Sequence, residues 1–232
     1  DKASIPLTLA YEFKINNLQN LDIEIALEQP QNFKVMVNGN ELKLDKDKGW
    51  WVDPCLRRFS LPLSYLKEGK NKVVLKTDFN YEVDLESIFL LGGFGVEVDG
   101  EEIIMIDEEK SLTPGDWTKQ GFPFYGGCIS YEISFPVTDS QPNHLVIPNF
   151  EGSCVKIYEN GKKIGTIAWR PYEIQLEPVG IKNNNSYKRT FKIEVVGHRK
   201  NANGLKYKAE GKGFALTTIG LMEKPYLVCK NR

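Results

Sequence analysis

Apolar and polar positions alternate along most of this chain, and the alternating runs are short. Residues 5–15 (IPLTLAYEFKI) put Leu7, Leu9, Tyr11 and Phe13 on one side, and residues 21–26 (LDIEIA) do the same with Leu21, Ile23 and Ile25. Side chains two apart share a face of an extended chain, so both runs predict half-buried β-strands. A third strand, 33–37, enters Asn38-Gly39. Asn-Gly is a strong hairpin signal because both central residues of a type I′ turn need positive φ, which Asn and Gly tolerate best. A loop carrying two tryptophans and a proline follows, then strands at 58–63 and 72–77 separated by the polar turn 67–71. Residues 85–98 predict a strand, a bend at Gly92-Gly93 and a further strand ending at Asp99-Gly100. No helical 3.6-residue pattern persists in this half, which leaves helix as a minor component.

The second half repeats that order. Its clearest stretch is 153–171 (SCVKIYENGKKIGTIAWRP), a strand, an Asn160-Gly161 turn and a second strand leading to Trp169-Arg170-Pro171. Residues 129–135 lie on 9–15, so that Tyr131 matches Tyr11 and Glu132 matches Glu12. Ile147 stands thirteen residues before Asn160, as Ile25 stands before Asn38. Residues 172–176 then correspond to 59–63, 190–196 to 71–77, and 214–221 close the second unit as 88–98 close the first. Solenoid and propeller periods are about 20–50 residues, and this repeat is far longer, which points to duplication of a whole domain. The expected fold is all-β, two tandem antiparallel jelly-roll β-sandwiches covering 1–107 and 108–232. The segment 112–127 (LTPGDWTKQGFPFYGG), next to that boundary, suits packing on either domain.

Composition narrows the function. The 30 basic and 31 acidic side chains nearly cancel, so the basic footprint of a nucleic-acid binder is missing. Apolar runs are only a few residues long, short of the roughly 18 that a membrane span needs. The chain reaches a strand-like run soon after Asp1, without a basic region and apolar core, which suggests a segment of something longer with no visible signal peptide. Cys55, Cys128, Cys154 and Cys229 are scattered, without CxxC spacing, and are expected as buried free thiols; unpaired cysteines lean towards a cytoplasmic location.

Catalytic and metal motifs are sparse. His144 and His198 lie beside no nucleophile elbow and have no ligand spacing with the cysteines. Asp45-Lys46-Asp47-Lys48-Gly49 opens like a calcium loop but lacks the downstream glutamate, so a solvated turn is expected and no cofactor is implied beyond that one structural calcium alternative. Glu12, Glu24, Glu132 and Glu194 alternate with apolar residues and read as the solvent side of sheets. Asn184-Asn185-Ser186 fits a glycosylation sequon. What remains is aromatic and polar residues in loops: Trp50, Trp51 and Asp53 in the first copy, Trp117, Tyr125, Trp169 and Arg170 in the second. Ring faces stack on pyranose C–H groups and charged neighbours take hydroxyls, so these seven are the carbohydrate-binding candidates. Rings that plug the ends of the sandwiches are the competing reading.

At these residues the chain resembles the galactose-binding-like jelly-roll domains attached to large glycoside hydrolases of the β-galactosidase, β-glucuronidase and α-L-rhamnosidase-like types. The resemblance rests on Ile157, Asn160-Gly161-Lys162, Gly165, Arg170-Pro171-Tyr172 and the strand 191–195, with GDWTKQGFPFYGGCISYEISF ahead of them. The first copy carries a weaker form, VNGNEL and WWVD. The resemblance implies accessory domains that pack on a catalytic barrel or bind sugar, with the catalytic carboxylates in the barrel. No barrel pattern of alternating strands and helices is present in these 232 residues. The expectation is a non-catalytic C-terminal accessory region of a glycoside hydrolase, whose partners are carbohydrate or the parent catalytic domain. A protein-interaction or adhesive module without sugar binding is the alternative from another class, and a hydrolase in its own right would need two carboxylates facing each other in a cleft.

Overall fold

The computed structural model describes residues 4–19, 21–137, 142–178, 187–202, 206–207 and 213–230. The chain is all-β, and among the described residues the helical content is three short 3-10 turns. It divides into two compact units, 1–109 with 206–215, and 110–205 with 216–232.

The first unit contains β1 (Ile5–Ile15), β2 (Ile23–Leu27), β3 (Lys34–Val37), β4 (Asn40–Leu42), β5 (Trp50–Trp51), β6 (Asp53–Leu61), β7 (Gly69–Phe79), β8 (Phe89–Leu91), β9 (Gly95–Asp99) and β10 (Glu102–Ile106). They form one sheet in the order β4-β3-β7-β1-β10-β9 and a second in the order β5-β6-β2-β8. Period-two alternation sends Val73 and Leu75 of β7 and Val35 and Val37 of β3 inward, where they meet Ile23, Ile25, Phe59 and Leu61 of the other sheet in one buried cluster. A core shared by two sheets is a β-sandwich. Burial of one such side chain stabilises by about 1.5–3 kcal/mol, so this interlayer cluster is the main support of the unit.

The second unit contains β11 (Cys128–Val137), β12 (His144–Val146), β13 (Cys154–Glu159), β14 (Lys162–Ile167), β15 (Glu173–Gln175) and β16 (Tyr187–Val196). A hairpin of β17 (Lys206–Tyr207) and β18 (Phe214–Ala215) follows and groups with the first unit. β19 (Tyr226–Val228) then returns to the second. The second unit's sheets run β11-β16-β13-β14 and β15-β12-β19. Phe191, Ile193 and Val195 face Leu145, Ile147, Ile219 and Leu221 in its core. The order β4-β3-β7-β1 of the first unit thus recurs as β14-β13-β16-β11, and β6-β2-β8 recurs as β15-β12-β19.

Several sequence expectations change. The closing strand of the second unit is β19, not 214–221, since Phe214–Ala215 pairs with β17. The strand β10 was not anticipated; it follows β9 as a hairpin and pairs in parallel with the end of β1, with Lys14 opposite Ile104. The tryptophan loop is a short hairpin of β5 and β6, and Pro54, near the start of β6, lies outside the span paired with β2, which begins at Arg57, so its missing N–H removes no bond to that strand. The register also revises one equivalence. Val35 faces Leu75 and Ile157 faces Ile193, so with the two Asn-Gly turns superposed, Leu9, which faces Leu75, takes the place of Tyr131 rather than Tyr11. The cysteines are free thiols, but Cys55, Cys128 and Cys229 are exposed and Cys154 is half-buried; Cys128 opens β11, Cys229 follows β19, and Cys55 lies in the first part of β6, outside its pairing with β2. The sequon at 184–186 and the polar turn preceding β16 lie outside the described residues.

Candidate functional site

At one edge of the first unit the two sheets leave an open groove of about 580 Å³. One wall is the β3–β4 hairpin with Lys34, Glu41 and Leu42, the other is 43–47, and Phe33, Val35 and Phe59 supply apolar floor. The position follows from the chain path. Asn38 at φ 48° and Gly39 at φ 88° turn β3 sharply into β4, a strand of three residues that leaves the sheet edge short. Asp47 then pins the next segment: its Oδ1 accepts from the Gly49 backbone N–H at 2.8 Å, and Oδ2 accepts from Arg57 Nη2 at 2.6 Å. Those contacts, with the Arg57 charge, hold the Asp47 carboxyl below its ordinary range. Lys34 and Glu41 form an ion pair at 2.7 Å across the hairpin. The side chains of Gln31, Lys43 and Asp45, by contrast, make no hydrogen bond or ion pair among the described residues, so the groove carries uncommitted polar groups over an apolar floor. The volume lies within the range of small-molecule clefts, while half of the lining residues are polar or charged and the groove is open to solvent.

The pinned segment leads directly into β5. Trp50 lies opposite Arg57, the partner of Asp47, and is 57% exposed. Trp51 is half-buried and leans on Phe89 with ring centroids 5.0 Å apart, so it is part of the structural support. Between Trp51 and Asp53 the chain turns at Val52 with φ 67°, a left-handed conformation that a β-branched side chain strongly disfavours. Asp53 accepts a hydrogen bond from the Cys55 backbone N–H at 2.9 Å, and its carboxylate, by hydrogen bond and charge, holds the Cys55 thiol above its ordinary pKa. Nearby, Glu28 is raised above the usual carboxylate range, first by desolvation and then by the charges of Glu86, Asp53 and Asp84. None of these four carboxylates has a cationic partner among the described residues. This end of the sheet is therefore acidic, and Gln29 fastens it by donating from Nε2 to Asp84 at 3.0 Å.

The second unit disperses its candidates. Trp117 is fully buried in the core, which corrects its place among the ligand-facing rings: it has no exposed face to offer. Asp116 caps the short turn by accepting from the Thr118 backbone N–H at 3.0 Å, while the Trp117 backbone N–H donates to Ile219 O at 2.8 Å. These bonds settle that 112–127 packs on the second unit around Trp117. Tyr125 stands edge-on to Trp117 and Phe122 and is 44% exposed. Trp169 is 80% exposed at the end of β14, and the Arg170 guanidinium lies 5.0 Å from the centroid of the Tyr172 ring, which packs on Phe150. Arg170 is therefore tethered, while the neighbouring Trp169 stands exposed.

The seven candidates divide between the two units. Trp50, Trp51 and Asp53 share a hairpin in the first unit, and Arg170 shares its corner with Trp169. Sequence reasoning missed Phe33, ahead of the Asn-Gly turn, and Lys43, between that turn and the tryptophans, as groove residues, and it read Asp45 only as part of a solvated turn. Nor was the acidic group of Glu28, Asp84 and Glu86 legible, because Glu28 is far in sequence from the segment that carries Asp84 and Glu86.

No family model matches the chain, and no curated protein matches it. Among solved structures, a rhamnosidase from Novosphingobium sp. PP1Y is similar over 97% of this chain and 22% of its own, at 15% identity and a TM-score of 0.34. A glycosyl hydrolase family 2 member from Bacteroides cellulosilyticus DSM 14838 is similar over 92% of this chain and 28% of its own, at 10% identity and a TM-score of 0.26. This chain spans less than a third of the length of either protein. Scores this low transfer neither fold nor function, and the site has to be read from its own residues.

Proposed function

We propose that the chain is a non-catalytic accessory region of a larger glycoside hydrolase, made of two jelly-roll copies divided near Asp107, and that its first copy binds carbohydrate along the groove that leads to Trp50. The observation that carries this reading is the combination of an apolar floor, the unpaired Gln31, Lys43 and Asp45 side chains, and an exposed indole next in the chain. A pyranose presents an apolar C–H face and a rim of hydroxyls, and each has a complement there. Asp47 and Glu41 are held by Arg57 and Lys34, which suits them to shaping the groove rather than to acid–base chemistry. Trp169 offers a second stacking surface on the second copy.

The reading is tested by affinity electrophoresis and calorimetry against plant, mucin and bacterial polysaccharides, with Trp50→Ala and Trp169→Ala. Exposed rings can be removed without opening the core, and thermal denaturation checks that. Trp50→Ala is expected to weaken binding by roughly tenfold or more, the loss of one stacking contact. Absence of binding to every polysaccharide, or binding indifferent to both substitutions, overturns the sugar-binding reading.

A further inference from the structure

Two Asn-Gly pairs among the described residues close equivalent hairpins, yet their asparagine side chains are in opposite states. Asn38 and Asn160 both sit at positive φ, 48° and 51°, each followed by a glycine at positive φ. Asn38 is fully engaged: Nδ2 donates to Tyr65 O at 2.9 Å and to Asn71 Oδ1 at 2.7 Å, while Oδ1 accepts from the Lys72 backbone N–H at 2.9 Å. Asn160 is exposed and its side chain has no hydrogen-bond partner among the described residues. A Cβ built on Gly39 or on Gly161 would meet nothing within 4 Å, so what distinguishes the two turns is the hydrogen bonding of the asparagine side chain and not the space around the glycine.

The register gives the cause. Val37 pairs with Val73 before the first turn, and Glu159 pairs with Phe191 before the second, which makes Arg189 the counterpart of Asn71. Both are buried. Asn71 brackets its turn through Asn38, but Arg189 turns instead to Glu159, with Nε and Nη2 donating at 2.7 and 2.8 Å, and so leaves Asn160 unheld.

We propose that Asn160 is a site of spontaneous deamidation and that the fold protects Asn38 from the same reaction. The Gly161 backbone nitrogen, losing its proton to solvent base, bonds to Asn160 Cγ; the Cγ–Nδ2 bond breaks and ammonia leaves with a proton from water. The resulting five-membered imide takes up one water at either carbonyl and opens to aspartate or isoaspartate. The net change is amide plus water to acid plus ammonia. The formal net charge moves from −1 to −2, because one neutral side chain becomes one anion. The new charge appears next to Glu159, and isoaspartate adds a backbone carbon to a two-residue turn whose flanking pair is Glu159 and Lys162. Both products weaken the β13–β14 hairpin.

Cleavage after lysine and arginine separates the two sites as IYENGK (157–162) and VMVNGNELK (35–43). A third Asn-Gly, 203–204, lies outside the described residues and falls in a different peptide, 201–206. The folded chain is incubated at mildly alkaline pH and amide loss in each peptide is followed by mass spectrometry, with fragmentation to distinguish Asn38 from Asn40. Conversion at 157–162 is expected to exceed that at 35–43 by roughly tenfold or more, since Asn38 must first break several hydrogen bonds. In denaturant the two peptides should convert at comparable rates, which shows that the difference belongs to the fold. Asn71→Ala should raise conversion at 35–43 alone, and the comparison of folded with denatured wild type stands even if that variant folds poorly. Equal conversion in the folded chain, or faster conversion at Asn38, overturns the proposal.

Discussion

Arg189 and Asn71 occupy equivalent positions of the two units and solve the same problem differently. Each is buried in a strand otherwise facing an apolar core, where an unpaired polar group costs several kcal/mol in transfer terms. Asn71 satisfies itself on backbone, donating to Lys67 O at 2.7 Å and Gly69 O at 2.9 Å; Arg189 uses a two-pronged pair with Glu159 and lies 5.5 Å from the centroid of the Phe191 ring. A more exposed pair sets a pH response. Lys156 Nζ donates to Glu194 Oε1 at 2.9 Å, and this bond, with the charges of Lys156 and Lys192, holds the Glu194 carboxyl below its ordinary range. A depressed carboxyl binds its proton more tightly in the unfolded chain, so its contribution to stability is present above the unfolded value of about 4.3 and is lost as pH falls through the folded value. The expected outcome is that Glu194→Gln lowers the urea midpoint at neutral pH and that the gap to wild type narrows at about pH 3. A gap that stays constant with pH would assign the effect to something other than charge.

At the scale of elements, the glycine bend between β8 and β9 shows how a short strand is placed. A Cβ at Gly92 would stand 2.6 Å from the Asp22 backbone oxygen, which cannot move aside as a side-chain tip could. Gly92→Ala is therefore expected to shift β8 against β2 and cost about 1–3 kcal/mol, the range for overpacking, measured by chemical denaturation. Gly165 is a useful contrast, because the atom its Cβ would meet, 2.0 Å away, is the end of the Ile174 side chain. Ile174 is half-buried and can rotate, so Gly165→Ala should cost less than Gly92→Ala.

For the whole molecule, the consequence of two cores is two separable responses to damage. Ile25 is fully buried in the first core and Ile193 in the second. Truncation of either to alanine is expected to cost about 2–5 kcal/mol. Calorimetry should show Ile25→Ala moving one unfolding transition and Ile193→Ala another, with additive effects in the double variant, as for sites that share no neighbours. A single transition moved by both would mean that the units unfold together. The β17–β18 hairpin adds a detail to this picture, since its residues come late in the sequence yet group with the first unit.

The sequence by itself determined the strands whose cue is local. Period-two alternation over 5–15 and the Asn-Gly turns at 38–39 and 160–161 each specify their own conformation, because side-chain direction and positive φ are properties of neighbouring residues. The equal spacing of Ile25 and Ile147 from those turns pointed to a repeated unit; the recurring strand order itself is visible only in the sheets. Tertiary structure alone decided the rest. Trp117 and Trp169 are the same residue type in similar loop contexts, and only packing buries one completely and leaves the other 80% exposed. The groove exists because β4 ends early and Asp47 reaches Arg57, ten positions away, a contact that no local pattern encodes. The strand β10 was hidden for the same reason: its partners are its neighbour β9 and the distant end of β1, and an apolar run names no partner. Pairing and burial are properties of segments brought together from afar, and it is there that sequence reading gave way to structure.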